Sequence, residues 1–442
     1  MFCGYSSGHE SQPASPLALR AWAQAAAARA VLPWDGQARR SALMRGTWLP
    51  LAVTLTIQAM ASMALLTLPV MAPVVALALG VSPAYTGVYV TIIYIGAMMG
   101  SLGAGAVVAR FGAIRVSQAG LLLCAAGLAL CALPWVPAIA MGALLMGLGY
   151  GPITPASSHL LALSTPKERM SLVFSVKQTG VPLGGVLAGA IVPTLALLAS
   201  WQGALLAAAA ANLICAMAAQ PLRQTFDADR SAGARLAFGH LARPIRLVLS
   251  QPALKLLAGC SFLFSAAQLS LSTYLVVHLH ETLAYGLVTA GLALSLSQVG
   301  GVAGRIVWGW VADRWLDASR MLAVLAGIMA ASALATALLH PVMPMLLVLA
   351  ILVVFGASAT GWNGVFLAEV ARQAPAGEAS VATGGTLAIT FFGVVLGPPA
   401  FGAISGLFES YRAGYAALAL PLILSGVALL RGRRKAGIRP AS

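Results

Sequence analysis

Gly309-Trp310-Val311-Ala312-Asp313-Arg314 closes one long apolar run, and Gly105-Ala106-Val107-Val108-Ala109-Arg110-Phe111-Gly112 closes another in the first half of the chain. Arg110 and Arg314 stand 204 residues apart. Farther along, Ser175-Val-Lys-Gln-Thr-Gly180 recurs in outline as Ser380-Val-Ala-Thr-Gly-Gly385, and these serines stand 205 residues apart. A near-constant offset reads as one unit written twice. In a chain that crosses a membrane many times, duplicated halves imply two bundles that rock about a shared central site.

Composition puts the chain in a membrane. Hydrophobic residues make up 60% and charged ones 8%, against roughly 25% charged in a soluble domain. A mean hydropathy of +0.90 exceeds what one water-soluble core can hide. Twelve apolar runs, centred near residues 62, 96, 123, 148, 185, 209, 265, 297, 328, 358, 393 and 422, each supply the roughly 20 residues a bilayer span needs. The net charge of +15 follows the same topology. Alternating the connections gathers the 26 Lys and Arg on one side, with Arg412 opposite and Lys177 inside a span as the exceptions. This positive-inside bias predicts a multi-pass membrane protein with both termini cytoplasmic. It makes the lipid bilayer, and not nucleic acid, the partner that the charge reports.

Residues 1–46 mix Ser, Pro, Ala and Arg without the order of a secretory signal. They read as a cytoplasmic tail or, since Met44 directly precedes the first span, as an over-extended gene start. Residues 47–220 and 252–431 are expected to form two six-helix bundles. Residues 221–251 are expected to be a polar, solvated cytoplasmic linker, and 432–442 a basic tail. Trp48, Trp135, Trp201, Trp308 and Tyr411 fall near span ends, as interfacial anchors do. Cys124, Cys131, Cys215 and Cys260 lie in apolar runs and Cys3 in the tail, without metal-ligand or redox spacing. They read as small buried hydrophobes.

Gly309-Trp-Val-Ala-Asp313-Arg314 resembles the signature loop between the second and third helices of each half in the major facilitator superfamily. The resemblance runs from about Arg45 to Arg431 and implies an all-α fold of twelve transmembrane helices in two pseudo-symmetric six-helix bundles. It casts Gly105, Arg110, Gly112, Gly309, Asp313 and Arg314 as a gating motif. In that motif Asp and Arg pair with neighbouring helix ends, and a small Gly lets helices approach. The first copy departs from the pattern, with Ala109 in place of Asp, and Leu316 replaces a glycine in the second.

Lys177 lies eight residues beyond Arg169, roughly 12 Å along a helix, deep enough to require a watery cavity or a counter-charge. It can bind an anionic substrate, pair with Glu369 across a gate, or snorkel to the interface. Its counterpart in the second half is Ala382. Glu369, read as the sole carboxylate within a span, and His159 are the proton-coupling candidates. For Glu369 the alternative is a helix-end ion pair with Arg372, and for His159 a simple structural hydrogen bond. Gln58, Tyr150, Lys177, Gln178, Gln268, Tyr274, Gln298, Trp362 and Asn363 fall near the expected midplane of spans that resemble the cavity-lining set of the superfamily. Gly180-Val-Pro182-Leu-Gly184-Gly185 and Gly397-Pro398-Pro399-Ala-Phe-Gly402 read as hinges or close-packing sites. The spacing in the fifth span departs from the similar pattern of the superfamily's antiporters.

Such a cavity, mostly apolar with a few amides and one cation, suits a small organic anion. The reading is a secondary transporter working by alternating access and driven by a proton or solute gradient, a proton being the expected coupling ion, since no phosphate-binding loop is present. Small bacterial uptake porters with a similar Lys-Gln-Thr-Gly-x-Pro fifth helix favour uptake; the alternative is proton-driven multidrug-type efflux. No grouping of acids, metal ligands or nucleophile and base points to an enzyme, a metal or a cofactor. A monomer suffices for the two-bundle architecture.

Overall fold

The computed structural model describes residues 48–166, 169–228, 230–231, 242–375 and 378–435. Residues 51–442 form one compact unit, and residues 1–50 are grouped apart from it. Of residues 1–50, only Trp48–Pro50 are described, and they are helical. The alanine-rich stretch of the tail, Cys3, Asp229 and residues 436–442 of the basic C-terminal tail lie outside the described residues, while 432–435 continue the last helix.

Twelve helices are long and apolar enough to cross a membrane: α1 Trp48–Leu79, α2 Pro83–Leu102, α3 Ala113–Cys131, α4 Val136–Ser164, α5 Leu172–Leu198, α6 Trp201–Phe226, α7 Pro252–Leu283, α8 Leu287–Ala312, α9 Ala318–Ala337, α10 Met345–Gln373, α11 Val381–Leu407 and α12 Tyr411–Arg431. Each expected centre falls inside its helix, because runs this apolar leave the backbone no partner in lipid except itself. No strand occurs among the described residues.

Three of the helices carry short interruptions that matter for the site. In α1 a 3₁₀ turn, Pro69–Met71, separates two helical segments. In α5 one segment ends at Gln178 and the next begins at Gly180. In α10 the break falls at Trp362, between Gly361 and Asn363.

Within the first half α4 packs on α2 and α3, and α6 on α3 and α5. Within the second, α7 packs on α11 and α12, α8 on α10, and α9 on α10 and α12. The halves meet where α5 lies against α8 and α2 against α11, with α7 against the end of α1. At the α5–α8 crossing Gly189 and Gly291 are so close that a Cβ on either would strike the carbonyl of the other. These are the small residues a close helix crossing requires.

The two ends of the bundle differ. We call the end carrying residues 103–112 and 313–317 the motif face, and the end carrying residues 80–82 and 284–286 the loop face. Near the loop face the halves are pinned by hydrogen bonds. The Tyr274 hydroxyl on α7 accepts from Gly87 N (2.9 Å) and donates to the Ala84 carbonyl (2.6 Å) on α2. Nearby, Thr91 Oγ1 donates to the Val395 carbonyl of α11 (2.7 Å).

The motif residues behave unevenly. Gly112 adopts φ 92° and ψ 155°, a region essentially reserved for glycine, and Asp227 packs directly against its Cα. The Asp227 carboxylate accepts from Ile114 N (2.8 Å) and Arg115 N (3.0 Å), capping α3. Ser231 N then donates to the Ala109 carbonyl (2.8 Å). An acid arriving from beyond α6 thus serves the connection whose own motif position is Ala109. By contrast, Gly105 and Gly309 face open space, so neither serves the close helix approach expected of it. Arg110 lies 5.5 Å over the Phe111 ring, and Arg314 is exposed at the motif face.

Two further expectations need correction. The 221–251 interval is not simply a solvated linker: α6 runs on to Phe226, Asp227 is buried, and a helix at Ala242–Ser250 packs against α11. Arg243 in that helix pairs with Glu378 (3.2 Å). Among the aromatic anchors, Trp48 and Trp135 are exposed, but Trp201 and Tyr411 are buried. Trp308 donates its indole N–H to the Ala357 carbonyl (2.8 Å) and so serves helix packing.

Candidate functional site

A narrow cleft of about 40 Å³, room for a few waters in this conformation, lies between the halves. Its wall draws on α1, α2, α4, α5, α7, α8 and α10, with Ser62, Tyr94, Tyr150, Gln268, Gln298 and Thr360 among apolar neighbours. Three of the expected cavity residues, Tyr150, Gln268 and Gln298, therefore line it. The glycines of α5 make room. A Cβ at Gly184 would press into Ala59 and Ser62 of α1, and one at Gly185 into the Gln298 side chain of α8.

Three polar atoms at this level make no hydrogen bond within the protein: Lys177 Nζ, Gln298 Oε1 and Thr360 Oγ1; Ser62 and Gln58 have the Tyr150 hydroxyl as a neighbour. Buried polar atoms are almost always paired, so these three are open to a polar ligand. The oxygen of the Gln58 amide is held, since Gln58 Oε1 accepts from Thr154 Oγ1 (3.0 Å). Trp362 donates to Gln268 Oε1 (3.1 Å) and sits edge-on between Phe264 and Phe366. It orients Gln268 from behind the wall. Asn363 makes only a long contact to the Thr360 carbonyl (3.5 Å) at the break in α10.

Lys177 lies one helical turn from the lining residue Val181. It is 1% exposed, which removes the snorkelling alternative in this conformation, and it does not pair with Glu369. Glu369, 0% exposed, accepts from Ser319 (2.6 Å), Arg372 (2.5 and 2.8 Å) and Gln373 (2.7 Å). It is a helix-end anchor tying α10 to α9, one of the two roles weighed for it. His159 is half-buried on α4 and bonded. Glu369 is also not the sole carboxylate in a span, because Glu281 stands in the last turn of α7.

Tyr274 is displaced from the expected site. Its hydroxyl caps the start of α2, and its ring stacks on Phe401 at 4.7 Å, away from the cleft wall. Gln178 takes part through its main chain, with its carbonyl accepting from Arg305 Nη1 (2.5 Å). Arg305 itself was missed. The charge count assigned it to the flank of the eighth span, yet it lies seven residues inside the end of α8. It also donates from Nε to the Thr360 carbonyl (3.1 Å), and its charge reaches both Lys177 and the Tyr150 hydroxyl. A second omission is His278, fully buried on α7 between the Thr336 carbonyl (3.1 Å) and Thr282 Oγ1 (3.1 Å). The described cysteines 124, 131, 215 and 260 are free thiols.

The comparisons with known proteins agree with this architecture. The sequence profile of the Major Facilitator Superfamily matches residues 51–386. A gentisate transporter of Corynebacterium glutamicum is 27% identical over 366 residues, covering 79% of this chain and 77% of the relative. Among solved structures, a bacterial homolog of the human lysosomal transporter Spinster, inward-facing and occupied, superposes with a TM-score of 0.70 at 14% identity. That match covers 88% of this chain and 98% of the other. A POT family transporter in complex with a thioalcohol-conjugated peptide gives 0.69 at 13% identity, over 87% and 96%. At such identities the structural likeness establishes the fold, while the profile spans most of the sequence. The chain belongs to the major facilitator superfamily, as a membrane transporter of twelve helices in two pseudo-symmetric six-helix bundles.

Proposed function

We propose that the protein is a secondary active transporter that carries a small organic anion, with protons, across the bacterial inner membrane by alternating access. The observation that carries this reading is Lys177: a cation 1% exposed, with no hydrogen bond of its own, one turn from the cleft. A buried ammonium without a partner costs several kcal/mol, and an anionic substrate is the natural compensation. The resemblance to a gentisate transporter supports a carboxylate on an aromatic ring bearing hydroxyls. The unpaired Gln298 amide oxygen and Thr360 hydroxyl suit such substituents.

In this reading the bundles of residues 47–220 and 252–431 rock as a monomer, with both termini cytoplasmic. The motif face is cytoplasmic, and the Tyr274 contacts hold the opposite face shut. His159 is the proton-coupling candidate, since Glu369 is engaged elsewhere.

Uptake of radiolabelled gentisate into proteoliposomes under an imposed inward proton gradient tests the proposal. Accumulation in wild type, abolished by a protonophore and by Lys177→Gln in a folded protein, is the expected outcome. Absence of acid transport, together with extrusion of lipophilic cations unaffected by Lys177→Gln, would replace it with drug efflux.

A further inference from the structure

Pro182 has no amide hydrogen, so the carbonyl of Gln178, four residues earlier, lacks its helical donor. The break in α10 leaves the Thr360 carbonyl at a similar interruption. Both carbonyls are taken by one side chain. Arg305 Nη1 bonds Gln178 O at 2.5 Å and Nε bonds Thr360 O at 3.1 Å. These two bonds fix the plane of the guanidinium and use two of its five donors. They also carry it across the halves, from α8 to the residue next to Lys177. Discontinuous helices that present main-chain groups to a central site recur in transporter binding sites.

Two cations, one from each half, thus stand together beneath the cleft. Neither forms an ion pair among the described residues, where Glu369 pairs with Arg372, Glu378 with Arg243 and Asp317 with Arg320. Like charges brought together in a medium of low dielectric repel strongly, and a carboxylate placed between them turns that repulsion into attraction.

We propose that Lys177 and Arg305 form a two-cation clamp that takes a single carboxylate between the halves, with Arg305 as the specificity-determining residue contributed by α8. This deepens the anion-transport reading and rests on it. The body of the acid then lies toward Gln298, Ser62 and Tyr150, and the carboxylate joins α5 to α8. Substrate occupancy and the approach of the two halves become one event.

The test is equilibrium binding of gentisate, its neutral carboxamide and nitrate to the purified full chain, in wild type, Lys177→Gln, Arg305→Gln and Pro182→Ala. Loss of one partner of a buried charged contact weakens binding by at least about thirtyfold. Lys177→Gln and Arg305→Gln are each expected to weaken gentisate by that factor and to leave the carboxamide unchanged. Pro182→Ala restores an amide donor to the Gln178 carbonyl without touching either charge, and it should keep the preference for acid over amide. Binding of nitrate as tight as that of gentisate would show an unselective anion site and overturn the carboxylate assignment.

Wild-type gentisate affinity in Arg305→Gln, with loss in Lys177→Gln, would overturn the clamp and leave the anion reading standing. Failure of the wild-type protein to bind gentisate or nitrate would overturn both. Should Arg305→Gln not fold, Arg305→Lys decides. It keeps the charge and loses the planar fork, so gentisate affinity equal to wild type would refute a role for the guanidinium, and a selective loss for acid over amide would support it.

Discussion

Removing one oxygen atom, in Tyr274→Phe, should shift the balance between the two faces of the transporter. The ring contacts with Phe401 at 4.7 Å and Tyr411 at 6.0 Å survive the change. What disappears is the hydroxyl that accepts from Gly87 N and donates to the Ala84 carbonyl. Each bond contributes a net ~0.5–1.5 kcal/mol. Both join α7 to α2, so they exist only while the loop face is closed. Their loss favours the loop-face-open state by about 1–3 kcal/mol, or roughly 5- to 150-fold in the conformational equilibrium.

Val90, buried on the cleft wall, offers a reporter. In a background with the native cysteines replaced, Val90→Cys is labelled by a membrane-impermeant maleimide added at the loop face. The labelling rate should rise by that factor in Tyr274→Phe. Thr91→Val, which removes one bond, should raise it by roughly 2- to 13-fold. Equal labelling in all three proteins, at equal thermal stability, would refute the idea that these bonds hold that face shut.

Other outcomes follow from the packing. Gly112→Ala, at φ 92° against Asp227, should cost about 1–3 kcal/mol and lower the unfolding temperature in detergent. Asp227→Ala should cost ~0.5–2 kcal/mol by uncapping α3, and combining it with Gly112→Ala should give less than the sum of the two, because the residues touch. Glu369→Gln should destabilise by about 1.5–3 kcal/mol through the bonds from Arg372, Ser319 and Gln373, while the pH profile of uptake stays where it was; a displaced profile would restore a proton-carrying role. Gly189→Leu should yield a folded protein in which uptake is lost, because the side chain strikes the Gly291 carbonyl, and retention of uptake would show that this crossing opens freely.

The membrane fold was written plainly in the sequence, since a span is a property of twenty consecutive residues and survives ignorance of what surrounds it. The cleft was partly legible for the same reason: an amide such as Gln268 or Gln298 in the middle of an apolar run needs a polar neighbour or a ligand. Rotation about the helix axis was not legible. Tyr274 and Gln268 are close in sequence on α7, yet the hydroxyl of one reaches the start of α2 while the other lines the cleft. Arg305 escaped because its distance from the end of α8 passed for a flank, and Gln178 because its side chain drew attention while its carbonyl did the binding. One signal was available: Pro182, four residues on, announces that an acceptor at 178 needs an outside donor.

The cap on α3 bears on where the two halves can be separated. The amides of Ile114 and Arg115 are satisfied by Asp227, and the Ala109 carbonyl by Ser231. An N-terminal fragment that stops at Leu222 would contain every fully buried apolar residue of the first bundle and still leave that helix start bare. A fragment carried through Ser231 brings its own closure. In split-transporter complementation, therefore, the longer fragment should assemble with the second half and the shorter one should be degraded.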